Sequence, residues 1–413
     1  MKRFTLVFLF TLSGVLAAAP VELVAPESVG ISSERLVVLK NRLQQELDDG
    51  VTGGIQVLVA RRGKVVMHEN LGFANIEENK PISDETLFRI YSMTKPVVGT
   101  AMMMLYEEGS YSMDDPLSKH IPEFANLKVF AGIDDNGEMI LENPVRPPTI
   151  QDLMRHTAGF TYGIFGDTPV DRLYAEKGVL REKSMQQLIE NLADIPLLFQ
   201  PGERWVYSVS VDVQAYLIEK WSGQKVGDFL QERLFDPLGM DQTMAWAPPD
   251  KANLLASVYT HADGVRTVDT SPTSTNHFTK PAYFSGGGQL ISTADDYWRF
   301  AQMLLNGGEF DGQRYLSPVL VDMMSEDRLP DDMAISFYRG SGFGLNVAVV
   351  RDRRDVGYPV NEGEFFWAGI ATTLFWIDPK EELVAIMMTQ YLPFNDLYFR
   401  DIMHRMLYPA IIE

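Results

Sequence analysis

The sequence predicts a mixed α/β (α+β) chain. One sheet is assembled from the N- and C-terminal thirds and flanked by helices, and a helical subdomain is inserted between the two parts of the sheet. Three observations carry that expectation. Residues 55–77 hold two β-rich runs, and residues 342–352, 364–378 and 383–390 hold three more. The stretch from about 95 to 330 is patterned mainly for helix and broken by Pro/Gly-rich loops such as VRPPT (145–149) and FQPGERW (199–205). A sheet that needs both chain ends makes one interwoven unit, with a sheet portion at about 25–90 and 330–413 and a helical portion at about 95–330.

The first segment, MKRFTLVFLFTLSGVLAAAP, has Lys2 and Arg3, an apolar run from Phe4 to about Leu16, and the small residues Ala17–Ala19, the layout of a secretory signal peptide. The run is shorter than the roughly 20 apolar residues of a membrane span. Residues 1–19 are therefore expected to be removed, leaving 20–413 as a secreted or periplasmic chain with no membrane span. The 413 residues include no cysteine, which excludes disulfides, thiolate metal ligands and a lipid anchor on cysteine.

SSERLVVLKNRLQQEL (32–47) has apolar residues at helical spacing behind Ser32 and Ser33, either of which caps a helix well. IQVLVARRGKVVMHENLGFANIE (55–77) reads as two strands around an RRGK turn. GFGLNVAVVRD (342–352), EFFWAGIATTLFWID (364–378) and LVAIMMTQ (383–390) each read as a strand, and NDLYFRDIMHRMLYPAII (395–412) as a closing helix. With 36 Lys and Arg against 56 Asp and Glu, the net charge of −20 repels nucleic acid and anionic lipid, and because the acidic residues are dispersed its plainer reading is solubility; the expected partner, a small molecule, rests on the motifs below.

The chemistry begins at IYSMTKPVVG (90–99). Pro96 fits the first turn of a helix, where an N–H has no intrahelical partner, so the helix starts at or near Ser92. Ser92 and Lys95, three apart, then share a face at the positive end of that helix. The apolar VVGTAMMMLY that follows predicts a helix buried on nearly every side, and a lysine buried with it must be paired or neutral. The plainer alternative is an N-cap serine with an incidental lysine. A second S-x-x-K, Ser222 to Lys225, spans Gly223, where a helix from about Asp212 ends, so its two side chains do not share a face.

Other chemistries are poorly served. None of the six histidines has H-E-x-x-H spacing, and His156 reads as a structural residue bonded within its own loop. Gly286-Gly287-Gly288 lacks the ending of a phosphate loop and reads as a tight turn, no G-x-S-x-G is present, and Asp212 reads as a helix cap. No metal or other cofactor is expected.

IYSMTK resembles the first motif of the penicillin-recognising serine hydrolases, which include class C β-lactamases, D-alanyl-D-alanine peptidases and family VIII carboxylesterases. LMRHTAGF (153–160), GERWVYSVSVDV (202–213), GGGQLISTADDYWRFAQMLLNGG (286–308) and EFFWAGIATTLFWIDP (364–379) resemble its later landmarks in the same order, so the likeness covers nearly all of residues 25–410. The resemblance implies a β-lactamase/transpeptidase-like fold with an antiparallel sheet. It implies Ser92 as nucleophile, Lys95 as its base partner and Tyr207 as the phenol that relays a proton to the leaving group. It also implies an oxyanion hole from the N–H groups of Ser92 and Ile370, and a substrate-binding strand at Trp367, Ala368 and Gly369, with Gly369 leaving room for the substrate.

Two departures from the lactamase pattern bear on substrate. Val209 stands where lactamases carry asparagine, and Trp367-Ala368-Gly369 stands where they carry Lys-Thr-Gly. The tryptophan is similar to family VIII carboxylesterases. The expected function is thus an exported serine hydrolase that cleaves esters of short acyl chains through an acyl-serine. The alternatives are a D-Ala-D-Ala carboxypeptidase or weak class C-type β-lactamase, and a non-catalytic cell-wall ligand sensor.

Overall fold

Ser32 caps the first helix, α1 (Ser33–Asp48): its hydroxyl accepts the Arg35 N–H at 3.3 Å. Leu36, Leu39 and Leu43 form the buried stripe that the sequence spacing called for. The computed structural model describes residues 21–181, 183–262 and 265–413; the expected signal peptide falls outside the described residues. Among the described residues no helix is long and apolar enough to cross a membrane.

The sheet has eight strands. From the N-terminal part come β1 (Gly54–Arg61), β2 (Lys64–Asn75) and β3 (Lys80–Pro81). From the C-terminal part come β4 (Ser341–Phe343), β5 (Ala348–Val350), β6 (Phe365–Ala368), β7 (Leu374–Asp378) and β8 (Leu383–Thr389). Their spatial order is β4-β5-β6-β7-β8-β1-β2-β3, with antiparallel neighbours throughout. The central pair, β1 and β8, is buried along its whole length, with Ile55 opposite Thr389 and Arg61 opposite Leu383. Helix α1 and the closing helix α7 (Asp396–Leu407) pack together on one side, and α6 (Ala294–Leu305) lies against β8, β1 and β7. The ring of Tyr297 on α6 meets that of Phe375 edge-on at 4.9 Å.

Two expectations about strands are corrected. EFFWAGIATTLFWID is a hairpin, β6 and β7, turned by Gly369–Thr373, with the Gly369 N–H on the Thr373 carbonyl at 2.8 Å. GFGLNVAVVRD likewise contains β4, a turn at 344–347 and β5. Both strands of each pair are buried on both faces, so they read as continuous apolar runs, and the alternation that would reveal a turn is missing.

The region from 95 to 330 is helical at its centre, where α2 (Thr94–Glu107) packs on α5 (Ser210–Ser222) and α3 (Ile150–Met154) packs on α5. Beyond the sequence expectation it also carries β-hairpins, Val129–Ile133 with Met139–Glu142 and Tyr259–Ala262 with Val265–Val268. The second hairpin pairs in parallel with Tyr391–Leu392, joining the inserted region to the chain's last third.

Candidate active site

Ser92 sits in a 3-10 turn, Tyr91–Met93, that leads directly into α2. Pro96 occupies the first turn of α2, and every residue from Thr94 to Leu105 is buried, so Lys95 lies wholly inside the protein. Its Nζ donates to Ser92 Oγ at 3.2 Å, to Tyr162 Oη at 3.0 Å and to the Gly287 carbonyl oxygen at 2.7 Å. Three acceptors match the three N–H donors of an ammonium, the pairing that burial demands. Tyr207 Oη donates to Ser92 Oγ at 2.8 Å, and Lys95 Nζ lies 4.6 Å from the centre of the Tyr207 ring. Ser92, Lys95 and Tyr207, expected from the sequence, are thus in mutual contact.

The Tyr207 segment is held by His156. Its Nδ1 and Ser208 Oγ are 2.9 Å apart, Ser208 Oγ and Ser210 Oγ are 2.7 Å apart, and the His156 carbonyl accepts the Val206 N–H at 2.9 Å. His156 therefore bonds across to the tyrosine segment and not within its own loop as expected. Burial, with the Lys95 charge second, holds its pKa well below the usual imidazole range, so it serves as a neutral strut.

Asp212 is not a cap. It lies in the first turn of α5 with its carboxylate fully buried, where Oδ1 accepts from Ser285 Oγ at 2.6 Å and from the Gly287 N–H at 3.3 Å. Burial raises its pKa, while the Ser285 hydroxyl and the Lys95 charge oppose that rise. Gly287 is pinned between these groups: a Cβ there would lie 2.5 Å from Tyr162 Oη, 2.9 Å from Asp212 Oδ2 and 3.5 Å from Lys95 Nζ. The glycine run is a turn, as expected, and it also supplies an acceptor to Lys95. The other S-x-x-K behaves as its spacing implied. Ser222 Oγ donates to the Ile218 carbonyl at 2.6 Å, Lys225 pairs with Glu219 at 2.8 Å, and Gly223 ends the helix between them.

The beta-lactamase family model matches residues 39–408. The chain belongs to the beta-lactamase family. Protein Rv1367c of Mycobacterium tuberculosis is 33% identical over 363 residues, 85% of this chain and 89% of that one. Esterase EstB of Burkholderia gladioli is 28% identical over 360 residues, 81% of this chain and 85% of that one. Among solved structures, EstCE1, described as a hydrolase with promiscuous acyltransferase activity, matches with a TM-score of 0.79 at 25% identity, over 91% of this chain and 99% of that one. The protein is a serine hydrolase of this family, with its β-lactamase/transpeptidase-like fold.

Ser92, Tyr207, Trp367, Ala368 and Ile370 line one cavity of about 150 Å³, closed by Phe165, Phe337, Tyr338 and Phe394. Lys95 lies behind it. In place of the lysine usual for family lactamases, the buried indole of Trp367 packs on Tyr207, Tyr338 and Phe343 with centroids 5.4–5.8 Å away. Val209, the other departure, is buried in the core at the start of α5. At Gly369 the glycine answers to packing: a Cβ there would strike Thr373 Oγ1 and the Ile90 carbonyl oxygen. Gly369 thus lets the end of β6 close onto the chain two residues before Ser92, which brings Ile370 beside the nucleophile.

Sequence reasoning missed Tyr162, the aromatic wall residues and the part played by Gly287. An aromatic two residues past Phe160 is a weak local sign, and the contact with Lys95 spans 67 positions.

Proposed function

We propose that this protein is an exported esterase that cleaves uncharged carboxylic esters of short acyl chains through an acyl-Ser92 intermediate. The observation that carries this is a serine hydroxyl, hydrogen-bonded to Tyr207 at 2.8 Å, facing a small cavity whose other side chains are aromatic or aliphatic. Ser92 Oγ attacks the ester carbonyl carbon as its proton passes to the Lys95–Tyr207 pair, which takes it in the form one proton short, as the amine beside the phenol or the phenolate beside the ammonium. The N–H groups of Ser92 and Ile370 take the developing oxyanion. Tyr207 lines the cavity and Lys95 does not, so Tyr207 hands the proton to the departing alkoxide. Water then attacks the acyl-serine by the reverse relay, releasing the acid and restoring the Ser92 hydroxyl.

The ester preference rests on the walls. A lactam or peptide carboxylate calls for a cation, and the cavity lining has an indole and phenyl rings instead. The small volume supports short acyl chains. Export rests on the layout of residues 1–19, and Edman sequencing of the periplasmic protein is expected to give a first residue between Ala18 and Val21; intact Met1 would refute it.

The functional test uses purified mature protein with p-nitrophenyl esters of increasing acyl length and with nitrocefin. Turnover should be highest for short acyl esters, with Ser92 labelled by a fluorophosphonate and activity lost in Ser92→Ala. Faster turnover of nitrocefin, or full activity in Ser92→Ala, would overturn the reading.

A further inference from the structure

The cavity has two distinguishable walls. On one side Phe394 is tied to the Ile370 turn, because the adjoining Asn395 N–H bonds Thr372 Oγ1 at 3.2 Å. Phe165 and Phe337 instead flank Tyr207, with ring centroids 5.8 and 5.7 Å from it and 6.3 Å from each other. The first wall borders the expected oxyanion site, and the second borders the phenol that protonates the leaving group.

Phe165 and Phe337 are 55% and 39% exposed, and Ile164 beside Phe165 is 58% exposed. Exposed apolar side chains at one mouth call for an explanation, since each is held out to water at a cost. Their backbones are braced. The loop carrying Phe165 is fastened before it by Thr161 Oγ1 donating to Asp171 Oδ1 at 2.7 Å, and after it by a capping box between Thr168 and Asp171 at the start of α4 (Pro169–Lys177). Phe337 is anchored by its neighbour Tyr338, a buried ring whose hydroxyl donates to Asp396 at 2.6 Å, and it meets Trp205 edge-on at 5.7 Å. Two separate loops thus present a pair of rings beside Tyr207.

We propose that Phe165 and Phe337 form the subsite for the alcohol portion of the ester, and that the substrates are esters whose alcohol carries an aromatic ring or an apolar group of similar size. This rests on the esterase reading above. The group that leaves with the Tyr207 proton must lie on the Tyr207 side of the carbonyl, where these rings stand, while the acyl chain faces Ile370 and Phe394. An apolar alcohol there covers both rings from water, which a hydroxylated or charged alcohol does not.

The test compares ethyl butyrate with 2-phenylethyl butyrate, two esters with the same acyl group and alcohols of similar acidity. The native protein should have a kcat/KM at least about tenfold higher for the phenylethyl ester, the scale expected from burying part of a ring. In Phe165→Ala/Phe337→Ala that preference should fall to near unity, and Phe165→Leu/Phe337→Leu should recover part of it. Both esters give the same butyryl-enzyme, so within each variant the deacylation rate must be equal for the two, placing the change in acylation. Retention of the preference in the double alanine variant would overturn the subsite. A protein that turns over neither ester while hydrolysing nitrocefin would overturn the esterase reading itself, and the subsite with it.

Discussion

Lys95 Nζ donates to the main-chain oxygen of Gly287 at 2.7 Å, so the amine beside the nucleophile is steered by a backbone atom 192 positions away. Substituting Lys95 is one way to disturb the site. Crowding its acceptor is another, and it removes no side chain of the trio.

Gly287→Ala would put a methyl carbon within 2.5 Å of Tyr162 Oη and 2.9 Å of Asp212 Oδ2. Overpacking of this kind costs about 1–3 kcal/mol, and a shift of the amine should slow acylation by a factor on the order of 10². Thermal unfolding and the rate of fluorophosphonate labelling report the two effects separately. Labelling at the native rate would show that the Gly287 carbonyl does not position Lys95.

Lys95→Ala and Tyr207→Phe should each lower the acylation rate by a factor on the order of 10² or more, the usual scale of acid–base help. Groups that pass one proton act as a unit, so the double variant should be little worse than the poorer single one. Stopped-flow acylation with p-nitrophenyl butyrate measures this, and losses that multiply would contradict a shared relay.

Trp367 both lines the cavity and packs against Tyr207 at 5.5 Å. Trp367→Ala is expected to raise KM for the ester and to cost about 3–5 kcal/mol of stability, as truncation of a buried indole does. Trp367→Lys should raise the ratio of nitrocefin to p-nitrophenyl butyrate turnover while lowering the melting temperature, because the new ammonium is desolvated. Changes in melting temperature with an unchanged ratio would assign the indole to packing alone.

His277 packs edge-on against Tyr91, the residue before Ser92, with ring centroids 5.6 Å apart. Burial, and then the Arg89 charge, lower its pKa from 6.5 to about 4. The unfolded chain therefore binds a proton below 6.5 that the folded chain refuses. The contribution of His277 to stability is complete above pH 6.5 and is lost as pH falls toward 4, by up to about 3 kcal/mol at 1.36 kcal/mol per pH unit, against an opposite contribution from Asp296, whose pKa burial raises to about 6. His277→Gln should flatten the dependence of melting temperature on pH between those limits, and an undiminished slope would exclude His277 as its source.

What the sequence made legible follows from how far its signals reach. Ser92 and Lys95 are three apart, and Pro96 marks the start of their helix, so local geometry sufficed for them. Tyr207 was reachable only through the likeness of its surrounding segment to a family motif. Tyr162 and the Gly287 carbonyl meet Lys95 across 67 and 192 positions, where no periodicity connects them. The order of the sheet was legible in outline because apolar runs cluster at both chain ends. The turns inside 342–352 and 364–378 were not, since strands buried on both faces erase the alternation that marks a break.

The seam between β1 and β8 also orders events in time. Thr389 Oγ1 donates to the Gly54 carbonyl across 335 positions, and the two strands pair along their full length in the middle of the sheet. A ribosome releases β1 long before it makes β8. Until then β1 has a bare apolar edge, and loop closure over most of the polypeptide must precede the contact that covers it. Ser92 lies just beyond the N-terminal strands and Ile370 in the turn between β6 and β7, and β8 is what joins those C-terminal strands to β1, so in a nascent chain stopped before Leu383 the sheet is split and does not hold the two residues together. Such fragments are candidates for aggregation or for capture by a chaperone that binds open strand edges.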